Sequence, residues 1–586
     1  MVNITINGRQ YTADEGKTIL DACRAHGIRI PTLCYLEGVS EEAACSLCVV
    51  EVTGARTLVR SCVTKVTEGM DIKTATERVR QARTVVLELI LANHPKDCLA
   101  CYRNQNCELQ SLAQELGIDS IRYPKIRKQD YDLDTSSPSI IRDANKCILC
   151  GRCIATCSKI QTVDAIQFSG RGLQSKVSTF MDAGLGKVAC INCGQCVLIC
   201  PTGALIERSA IKAVWKDIAD PKKFVVVQTA PAIRAAIGEE FGLPEGVAVT
   251  GKMAAALRKL GFDKVFDTQF TADLTIIEEG SEFIDRVKNG GVLPMITSCS
   301  PGWIKFSEIF FPEILAHLST CKSPQQMFGA VAKTYYAQKM GIDPRDMVVV
   351  SIMPCTAKKF EAGRPEMDSA FAYWREKMHL RGEESFPDVD YVLTTRETGR
   401  MITEAGIDFA ALESEGYDDP LGKSTGAATL FGATGGVMEA ALRSAYFYLT
   451  GQELPSLEFS PIRGLAGIKE ATVNVAGMDV KVAVASGLGN ARKLMEDVRD
   501  KKSPYHFIEI MACPGGCIGG GGQPIPTDTR LRTKRMEALY AEDQHLPQRR
   551  SHENSDVKAL YDDFLKTPNG HLSHDLLHTQ YRQRVY

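Results

Sequence analysis

Two runs of cysteine carry the clearest chemistry in this 586-residue sequence. Each has the spacing C-x2-C-x2-C-x3-C, and the runs are Cys147, Cys150, Cys153, Cys157 and Cys190, Cys193, Cys196, Cys200. Iron–sulfur clusters need soft thiolates, and this spacing wraps three corners of a cubane while the fourth cysteine serves the other cluster. The runs therefore predict two [4Fe–4S] clusters, one on Cys147, Cys150, Cys153 and Cys200 and one on Cys157, Cys190, Cys193 and Cys196. Two zinc sites are the alternative, but zinc does not need two four-cysteine runs.

Two further ligand groups precede these runs. In the first, a C-x2-C pair flanked by single cysteines suggests a [2Fe–2S] site, with a zinc ribbon as the alternative; it consists of Cys34, Cys45, Cys48 and Cys62. Its first gap is ten residues, whereas plant-type ferredoxins have four. The second consists of His94, Cys98, Cys101 and Cys107. Three cysteines and one histidine can hold zinc, but the neighbouring clusters favour a [4Fe–4S] cluster with one imidazole ligand. Four clusters in sequence would carry electrons to a redox site further along the chain.

The composition limits the classes of function. Sixteen of the 21 cysteines precede residue 201, and in a reducing compartment they are not expected to form disulfides. The net charge of −2 argues against nucleic acid or an anionic membrane as the main partner. The first residues lack the pattern of a secretory signal, and no apolar run reaches the ~18 residues of a membrane span. We therefore expect a cytoplasmic protein.

The elements that must position these residues follow from apolar patterns. Residues 2–12 alternate around Asn-Gly and predict a hairpin, residues 14–27 predict a capped helix ending at Gly27, and residues 76–94 predict another helix. From residue 224, the runs FVVVQTAP, DMVVVSIMP and VDYVLTT alternate with helical stretches, which is typical of an α/β domain with parallel strands. From Pro526, a polar segment predicts a helical tail over the surface.

Polar residues 120–140 predict a connector.

The later cysteines include Cys355, directly after a predicted strand, and Cys513 and Cys517 in IEIMACPGGCIGGGGQP. Strand ends are where α/β domains build sites, and the glycines permit close backbone approach to something bulky. A phosphate loop would need a following Lys-Ser/Thr, which is missing here. The segment SGLGNAR at 486–492 has only two of the three glycines of a dinucleotide turn, which disfavours nucleotide binding.

At these residues the sequence resembles the [FeFe]-hydrogenases, whose signatures are TSCCPxW, MPCxxKxxE and ExMACxxGCxxGGGxP. They appear here as TSCSPGW, MPCTAKKFE and EIMACPGGCIGGGGQP. The resemblance covers nearly the whole chain and extends to clostridial monomeric enzymes and to catalytic subunits of NAD(P)-linked hydrogenases. It implies a multidomain α+β and α/β fold. The domains would be a β-grasp [2Fe–2S] domain at 1–78, a His/Cys3 [4Fe–4S] domain at 79–138, a two-[4Fe–4S] ferredoxin domain at 139–209, and at 210–586 a large α/β catalytic domain with its site between two lobes.

The resemblance also implies an H-cluster, a [4Fe–4S] cubane joined through a cysteine to a two-iron unit that carries CO, cyanide and azadithiolate. Cys355, Cys513 and Cys517 match cubane ligands, with Cys517 at the bridging position. Residues matching the surroundings of the two-iron unit are Ala230, Pro231, Met353, Met511 and Lys358, of which Lys358 matches a contact to cyanide. A matching proton relay runs from Cys299 through Glu279, Ser319 and Glu282, with Arg286 near its mouth. Without the resemblance, each carboxylate would be interpreted as part of a solvated helix face. Cys23 and Cys321 fit no ligand set and are interpreted as core or incidental.

Ser300 departs from the family, which has a cubane-ligating cysteine at this position. A hydroxyl is a harder donor than a thiolate and is far harder to deprotonate than a cysteine. Ser300 could bind iron as an alkoxide, Cys299 could shift to become the ligand, or the cubane could assemble poorly.

The implied activity is reversible hydrogen oxidation and proton reduction, with electrons relayed through four accessory clusters and turnover impaired by Ser300. The alternative is a hydrogen-sensing or electron-transfer subunit with little turnover. The sequence shows no convincing nucleotide or flavin fold. NAD(P) would therefore require partner subunits, whereas a ferredoxin could dock directly on the N-terminal domains.

Overall fold

The computed structural model describes residues 1–127, 130–454, 456–475 and 477–586. The chain forms two compact units. The first consists of Met1–Ile160, Asp164–Cys190 and Ile199–Ile206, and the second of Gln161–Val163, Ile191–Leu198 and Glu207–Tyr586. Among the described residues, none of the helices combines the length and the apolar character that crossing a bilayer requires.

The first unit is built mainly from short strands. Its elements are β1 (Val2–Ile6), β2 (Arg9–Ala13), α1 (Ile19–Ala25), β3 (Val49–Val52), β4 (Val59–Arg60), β5 (Met70–Lys73), α2 (Glu77–Ala92), α3 (Glu108–Glu115), β6 (Ile140–Arg142), α4 (Arg152–Ala155), β7 (Gln167–Ser169), β8 (Lys176–Ser178) and the start of β9 (Leu205–Glu207). Five strands form a sheet of order β2-β1-β5-β3-β4, in which only β1 and β5 are parallel. The predicted connector is without a strand or helix until β6, and its residues 128 and 129 lie outside the described residues.

Local sequence signals account for the start of this unit. The hairpin of β1 and β2 turns at Asn7 and Gly8, whose φ angles of 51° and 80° suit the Asn-Gly turn that follows right-handed strand twist. The prediction for the first helix was wrong at its start, because the helix begins at Ile19. The Thr18 side chain caps this helix by accepting a hydrogen bond from the Asp21 N–H, and the Asp21 carboxylate accepts one from the Thr18 N–H. The helix predicted at 76–94 is confirmed as α2.

The second unit holds the α/β elements. They are α5 (Gln195–Leu198), α6 (Ile211–Ile218), β10 (Phe224–Thr229), α7 (Thr250–Lys259), β11 (Lys264–Asp267), α8 (Thr268–Asn289), β12 (Met295–Ile296), α9 (Pro301–Phe310), α10 (Pro324–Val331), α11 (Ala337–Met340), β13 (Met347–Ile352), α12 (Ala357–Ala362), α13 (Ser369–Lys377), β14 (Tyr391–Leu393), α14 (Thr395–Glu404), α15 (Gly426–Thr429), α16 (Gly436–Thr450), β15 (Ile468–Val475), β16 (Met478–Ser486), α17 (Leu488–Arg499), β17 (Phe507–Met511), α18 (Thr529–His545), α19 (Ser555–Leu560) and α20 (His571–Leu577).

Two four-stranded sheets organise this unit. One has the order β11-β10-β13-β14 with all strands parallel, which confirms the strands predicted from the apolar runs. The other has the order β12-β17-β16-β15, and only β15 runs antiparallel to its neighbour. Nearly every residue of β10 and all of β13 are buried, because helices cover both faces of a parallel sheet. Four strands, β10, β12, β13 and β17, end just before the residues of the site.

The C-terminal segment is helical as predicted, but the expectation that it lies over the surface was wrong in part. Arg535 of α18 is fully buried and its guanidinium donates to Glu239 at 2.6 and 2.8 Å. Asp543 of the same helix is also buried and accepts from Arg443 at 2.9 Å. The polar residues that suggested a solvated surface are therefore paired inside the unit, as buried charges must be.

Candidate active site and cluster-binding cysteines

A cavity of about 80 Å³ in the second unit gathers most of the predicted active-site residues. Its lining includes Ala230, Pro231, Cys299, Ser300, Met353, Cys355, Lys358, Met511, Cys513 and Cys517. These residues follow β10, β12, β13 and β17 or end them. Parallel strands bring their carboxyl ends to one edge of a sheet, and binding sites in open α/β folds form outside that edge. Cys193, from the second ferredoxin-type run, also lines the cavity.

Glycine lets the two cysteine loops meet. A Cβ atom on Gly520 would lie 2.1 Å from the Pro354 carbonyl oxygen, and Gly516 has a φ of 89°, which side chains rarely adopt. The sequence predicted that these glycines make room for something bulky. The structure instead shows the chain's own backbone filling the space at Gly520, so that the loop after Cys513 is pressed against the loop that carries Cys355.

The three thiols of this cavity share one desolvated environment. Burial raises the pKa of Cys355, of Cys513 and of Cys517, the last to about 12. The charge of Cys355 raises the pKa values of Cys513 and Cys517 further, which indicates that the sulfurs converge. Without a metal these thiols would stay protonated, whereas iron binding drives them to thiolates. Three converging soft donors around one cavity fit a [4Fe–4S] cluster with one corner left for another ligand.

Ser300 lies where that fourth ligand would be expected from the resemblance. It is the residue before α9, and Pro301 occupies the first helical position. Its hydroxyl oxygen accepts a hydrogen bond of 3.2 Å from the Ala512 N–H, next to Cys513 in the chain. The hydroxyl therefore lines the cavity but is held by the backbone of the opposite loop.

Cys299 and Lys358 complete this wall of the cavity. Cys299 faces the cavity, so part of its surface is open to it, while the surrounding protein shields the thiol from bulk water. Burial, followed by the charge of Glu279, raises the pKa of Cys299 well above its ordinary value. The Lys358 ammonium donates to the Cys299 carbonyl at 3.2 Å and to Glu361 at 2.8 Å. Lys358 is thus a fixed cation on the wall of an otherwise mostly apolar cavity.

The residues predicted to form a proton relay interact with one another, beginning with the charge of Glu279 acting on Cys299. Glu279 is 2% exposed on α8, and burial, aided by the charge of Glu282, raises its pKa to about 8. The Ser319 hydroxyl opposes this shift and donates to Glu282 at 2.8 Å. Arg286, one turn further along α8, donates to Glu282 at 2.6 Å and is partly exposed. The structure therefore brings all five residues together, from the cavity towards the surface.

The group Cys34, Cys45, Cys48 and Cys62 resolves into two close pairs in the first unit. The Sγ atoms of Cys34 and Cys45 lie 3.4 Å apart, and those of Cys48 and Cys62 lie 3.3 Å apart. Both distances far exceed the ~2.05 Å of a disulfide. Two thiol pairs are what a two-iron cluster requires, because each iron takes two protein ligands.

His94 has a buried ring nitrogen that could bind a metal. It lies two residues after the last residue of α2, and within the part of the chain that the structure describes its Nδ1 atom has no hydrogen-bond partner. Burial lowers the pKa of His94 to about 4, so the ring is neutral and its nitrogen can bind a metal. Cys98 is exposed, whereas Cys101 and Cys107 are partly buried. This set of one imidazole and three thiols fits either a zinc ion or a [4Fe–4S] cluster, the two alternatives that the sequence left open.

The first predicted cubane set is assembled in the first unit. Cys147, Cys150, Cys153 and Cys200 all line one cavity of about 30 Å³. Burial, with a smaller contribution from Cys200, raises the pKa of Cys147 to about 11 and of Cys150 to about 12. Three donors thus come from one run and the fourth from the other, in the arrangement that paired runs use.

For the second predicted set, Cys157 and Cys190 lie in the first unit. Burial raises the pKa of Cys157 to about 12, and the charge of Cys190 adds to this shift. Cys193 and Cys196 belong to the second unit. The assignment of these four cysteines to one cluster stays a prediction.

Sequence reasoning missed several polar partners. The carboxylate of Glu361, the last residue of MPCTAKKFE, accepts hydrogen bonds from the Lys358 ammonium at 2.8 Å and from the Ser323 hydroxyl at 3.0 Å. Its place in the signature was the signal that could have identified it. Cys321, interpreted from sequence as core or incidental, lies 3.8 Å from Glu282 and 4.0 Å from the His578 ring. These residues are too far apart in sequence for spacing to reveal the contact. By contrast, Cys23 is buried in the apolar core of the first unit.

The cysteine groups and the cavity at the strand ends indicate an iron–sulfur oxidoreductase. A family model described as iron only hydrogenase large subunit, C-terminal domain, matches residues 223–521. The chain belongs to the [FeFe]-hydrogenase family. Further models match a 2Fe-2S iron-sulfur cluster binding domain at 1–77, an NADH-ubiquinone oxidoreductase-G iron-sulfur binding region at 83–122, a 4Fe-4S dicluster domain at 146–204 and an iron hydrogenase small subunit at 529–584.

Known proteins resemble the chain over its full length. It is 51% identical to the NADP-reducing hydrogenase subunit HndD of Solidesulfovibrio fructosivorans and 41% identical to iron hydrogenase 1 of Clostridium pasteurianum, in each case over 100% of both chains. Among solved structures, an apo variant of the [FeFe]-hydrogenase HydA1 from Chlamydomonas reinhardtii is 43% identical with a TM-score of 0.57, covering 64% of this chain and 99% of that one. The protein is therefore a multidomain enzyme with 2Fe–2S and 4Fe–4S domains and a hydrogenase catalytic domain.

Proposed function

We propose that the chain catalyses reversible hydrogen oxidation and proton reduction at an H-cluster held in the cavity of the second unit. The observation that carries this proposal is the convergence of Cys355, Cys513 and Cys517 on one desolvated cavity. The interacting polar residues between Cys299 and Arg286 support it further. When bound, the H-cluster would supply the two-iron centre at which protons and electrons combine. The chain's own residues have three tasks: holding iron, positioning the two-iron unit and moving protons.

Holding and positioning are assigned to separate residues. We assign Cys355, Cys513 and Cys517 as cubane ligands, with Cys517 bridging to the two-iron unit. Lys358 provides the positive charge that a cyanide ligand would need in a low-dielectric cavity. Ala230, Pro231, Met353 and Met511 give apolar walls that exclude water. Soft, polarisable methionine side chains suit such irregular surfaces.

Proton movement is assigned to Cys299, Glu279, Ser319 and Glu282, with Arg286 near the mouth of the route. Each of the first four groups can exchange a proton with the next through a hydrogen bond, whereas a guanidinium keeps its protons, so Arg286 positions Glu282. Glu279 is suited to this role, since its pKa of about 8 lets it carry or release a proton near neutral pH. Ser319 and Glu282 are already hydrogen-bonded, and Arg286 holds Glu282 near the surface.

Electron transfer is assigned to one [2Fe–2S] and three [4Fe–4S] accessory clusters. The ligands proposed for the [2Fe–2S] cluster are Cys34, Cys45, Cys48 and Cys62, and those for the His/Cys3 cluster are His94, Cys98, Cys101 and Cys107. The cubane sets are Cys147, Cys150, Cys153 and Cys200, and Cys157, Cys190, Cys193 and Cys196. Two sulfur pairs, a buried His94 nitrogen that no described residue hydrogen-bonds, and a four-cysteine cavity support the first three sets.

The redox partner is proposed from the relatives. One full-length relative is named an NADP-reducing hydrogenase subunit, and we propose that this chain likewise works with partner subunits that exchange electrons with NAD(P). At the one partial dinucleotide turn, a protein side chain covers the start of α17, where Gln161 accepts from the Leu488 N–H at 3.3 Å. A ferredoxin that docks directly is the alternative partner.

Ser300 favours a second candidate function, a hydrogen-sensing or electron-transfer subunit with little turnover. Its hydroxyl is a harder and far less acidic donor than a thiol, so the fourth corner of the cubane would be held weakly. Ser300→Cys should therefore increase both iron content and hydrogen turnover. We would measure both after maturation, together with the infrared bands of CO and cyanide. Equal iron and equal turnover in the two proteins would mean that Ser300 is not in a ligand position. Missing infrared bands in both would refute the H-cluster.

A further inference from the structure

A second set of potential metal ligands lies beside the proposed proton route. Glu282, Cys321 and His578 each direct one donor atom towards the others, and all three donor atoms lie within 4.8 Å of one another. The Cys321 Sγ atom lies 3.8 Å from Glu282 Oε2 and 4.0 Å from His578 Nδ1. Cys321 is fully buried, and the other two residues are less than a tenth exposed.

These distances fit a tetrahedral zinc ion. Zinc binds sulfur at ~2.3 Å and nitrogen or oxygen at ~2.0 Å, so tetrahedral geometry separates a sulfur from an oxygen or nitrogen ligand by about 3.5 Å. The two separations that involve Cys321 Sγ, 3.8 and 4.0 Å, exceed this by only a few tenths of an ångström, and the Glu282 oxygen and the His578 nitrogen lie within 4.8 Å of each other. Small side-chain movements would therefore close the three donors around an ion, and water could take the fourth corner.

The neighbours of His578 prepare it to bind a metal. Its Nε2 atom lies 3.3 Å from a Glu278 carboxylate oxygen, which favours a ring proton on Nε2, while its Nδ1 atom lies 2.8 Å from the Thr320 hydroxyl. On metal binding, Nδ1 would exchange the hydrogen bond from Thr320 for the ion. Glu278 is itself held by the Tyr561 hydroxyl at 2.5 Å and the Asn569 N–H at 2.7 Å. A carboxylate behind the histidine is the usual second layer of a zinc site, because it orients the ring and makes it more basic.

The local charge also favours a dication. Burial, followed by the charges of Glu282, Glu279 and Glu278 in their ionised forms, raises the pKa of the Cys321 thiol, so these carboxyl groups are close enough to interact with a bound cation. Arg286 is the cation that pairs with Glu282, but it contacts the other carboxylate oxygen, Oε1. Oε2 accepts from Ser319 and Thr320 and faces Cys321. A zinc ion would displace the thiol proton, so that binding one Zn²⁺ releases one H⁺ to solvent.

We propose that Glu282, Cys321 and His578 form a binding site for one zinc ion, separate from the iron–sulfur sites. Zinc at this site would occupy the Glu282 oxygen that accepts from Ser319. Turnover should then fall, a consequence that rests on the proposed function, in which Glu282 carries protons. Occupied, the site would act as an inhibitory metal site on the proton route.

The test uses the full chain with its complete iron content, equilibrated with zinc chloride and dialysed. We expect one tightly held zinc ion per chain. Its zinc K-edge absorption should show a first shell of one sulfur at ~2.3 Å and nitrogen or oxygen at ~2.0 Å. This edge is specific to zinc, so the iron clusters do not interfere. Cys321→Ala and His578→Gln should each lose the bound zinc, and loss of the sulfur shell in Cys321→Ala identifies the ligand.

The matched control is Cys23→Ala, which removes another fully buried cysteine outside every proposed ligand set and should keep the zinc. Iron content and circular dichroism check that each variant is folded. No tightly held zinc, a shell of several sulfurs, or zinc retained in Cys321→Ala would each overturn the proposal. Zinc bound with the expected shell but without effect on hydrogen turnover would uphold the site and instead refute the role of Glu282 in proton transfer.

Discussion

Replacing Glu279 with glutamine tests the proton route at its most buried carboxyl group. Burial, followed by the charge of Glu282, raises the pKa of Glu279 from 4.5 to about 8. Each pKa unit corresponds to ~1.36 kcal/mol, so the environment disfavours the ionised form by roughly 5 kcal/mol. At pH 7 the side chain is therefore protonated in about ten molecules for each ionised one. An unperturbed glutamate would be almost fully ionised at this pH.

The sign of the pH dependence follows from this pKa. A carboxyl group with a raised pKa keeps its proton at low pH and loses it as the pH rises through about 8. Hydrogen evolution needs a protonated group that can donate towards Cys299, so the rate should fall across this range. Glutamine has no titrating proton, and Glu279→Gln should lower the rate by ~10²–10⁴-fold, the usual size of a general acid–base contribution. It should also remove the decline near pH 8.

The assay is hydrogen evolution from a reduced dye between pH 5.5 and 9.5. Reduction of the accessory clusters, followed by electron paramagnetic resonance, checks that electron delivery is unchanged. Glu240→Gln is the matched control, because burial also raises the pKa of Glu240 but this residue lies outside the relay. A Glu279→Gln protein that keeps more than a tenth of the wild-type rate with the same pH profile would show that protons reach the site by another route.

Three further predictions concern stability and the accessory clusters. Asp267→Asn removes the carboxylate 2.8 Å from the buried Arg234 guanidinium and leaves it the more distant Glu542 carboxylate at 3.6 Å. The free energy of unfolding should therefore fall by ~3–5 kcal/mol in denaturant titrations. Lys502→Ala at an exposed ion pair should cost less than ~1 kcal/mol, and equal losses would contradict the burial argument. His94→Gln should change the paramagnetic resonance signal of one accessory cluster, and an unchanged set of signals would remove His94 from the ligands. Cys200→Ser should reduce the iron content by up to ~4 atoms per chain, whereas full iron would show that the fourth ligand is elsewhere.

Local spacing was enough to predict that four cysteines drawn from both runs would line one cavity. Cys147, Cys150 and Cys153 lie within seven residues of one another, so the loop that carries them has little choice of geometry. Cys200 could be added because paired runs exchange their fourth ligand. The same holds for the strands, whose apolar runs end directly before Ala230 and Met353. In these cases the information lies within a few residues of the feature.

Contacts between distant segments were not predictable in this way. The close approach of Gly520 to Pro354 depends on how two loops meet, and the glycine run alone suggested a ligand instead. Cys321 and His578 are 257 residues apart, and each was an ordinary residue in its own segment. The buried arginine of α18, Arg535, was likewise interpreted as a surface residue because its partner Glu239 is far away in sequence. Tertiary packing decides such contacts.

The geometry around Ser300 bears on which residue fills the fourth cubane corner. For Cys299 to become the ligand, its Sγ atom would have to take the place of the Ser300 oxygen, yet the Lys358 ammonium holds the Cys299 carbonyl and Pro301 fixes the start of α9 directly after Ser300. Ser300 needs no such change, because its oxygen already lines the cavity and accepts from the Ala512 N–H, a bond that would stabilise an alkoxide. We therefore expect Ser300 to hold the fourth iron, weakly, while Cys299 keeps its thiol free for protons. The residue that departs from the family pattern would then limit how much H-cluster assembles and leave the proton route intact.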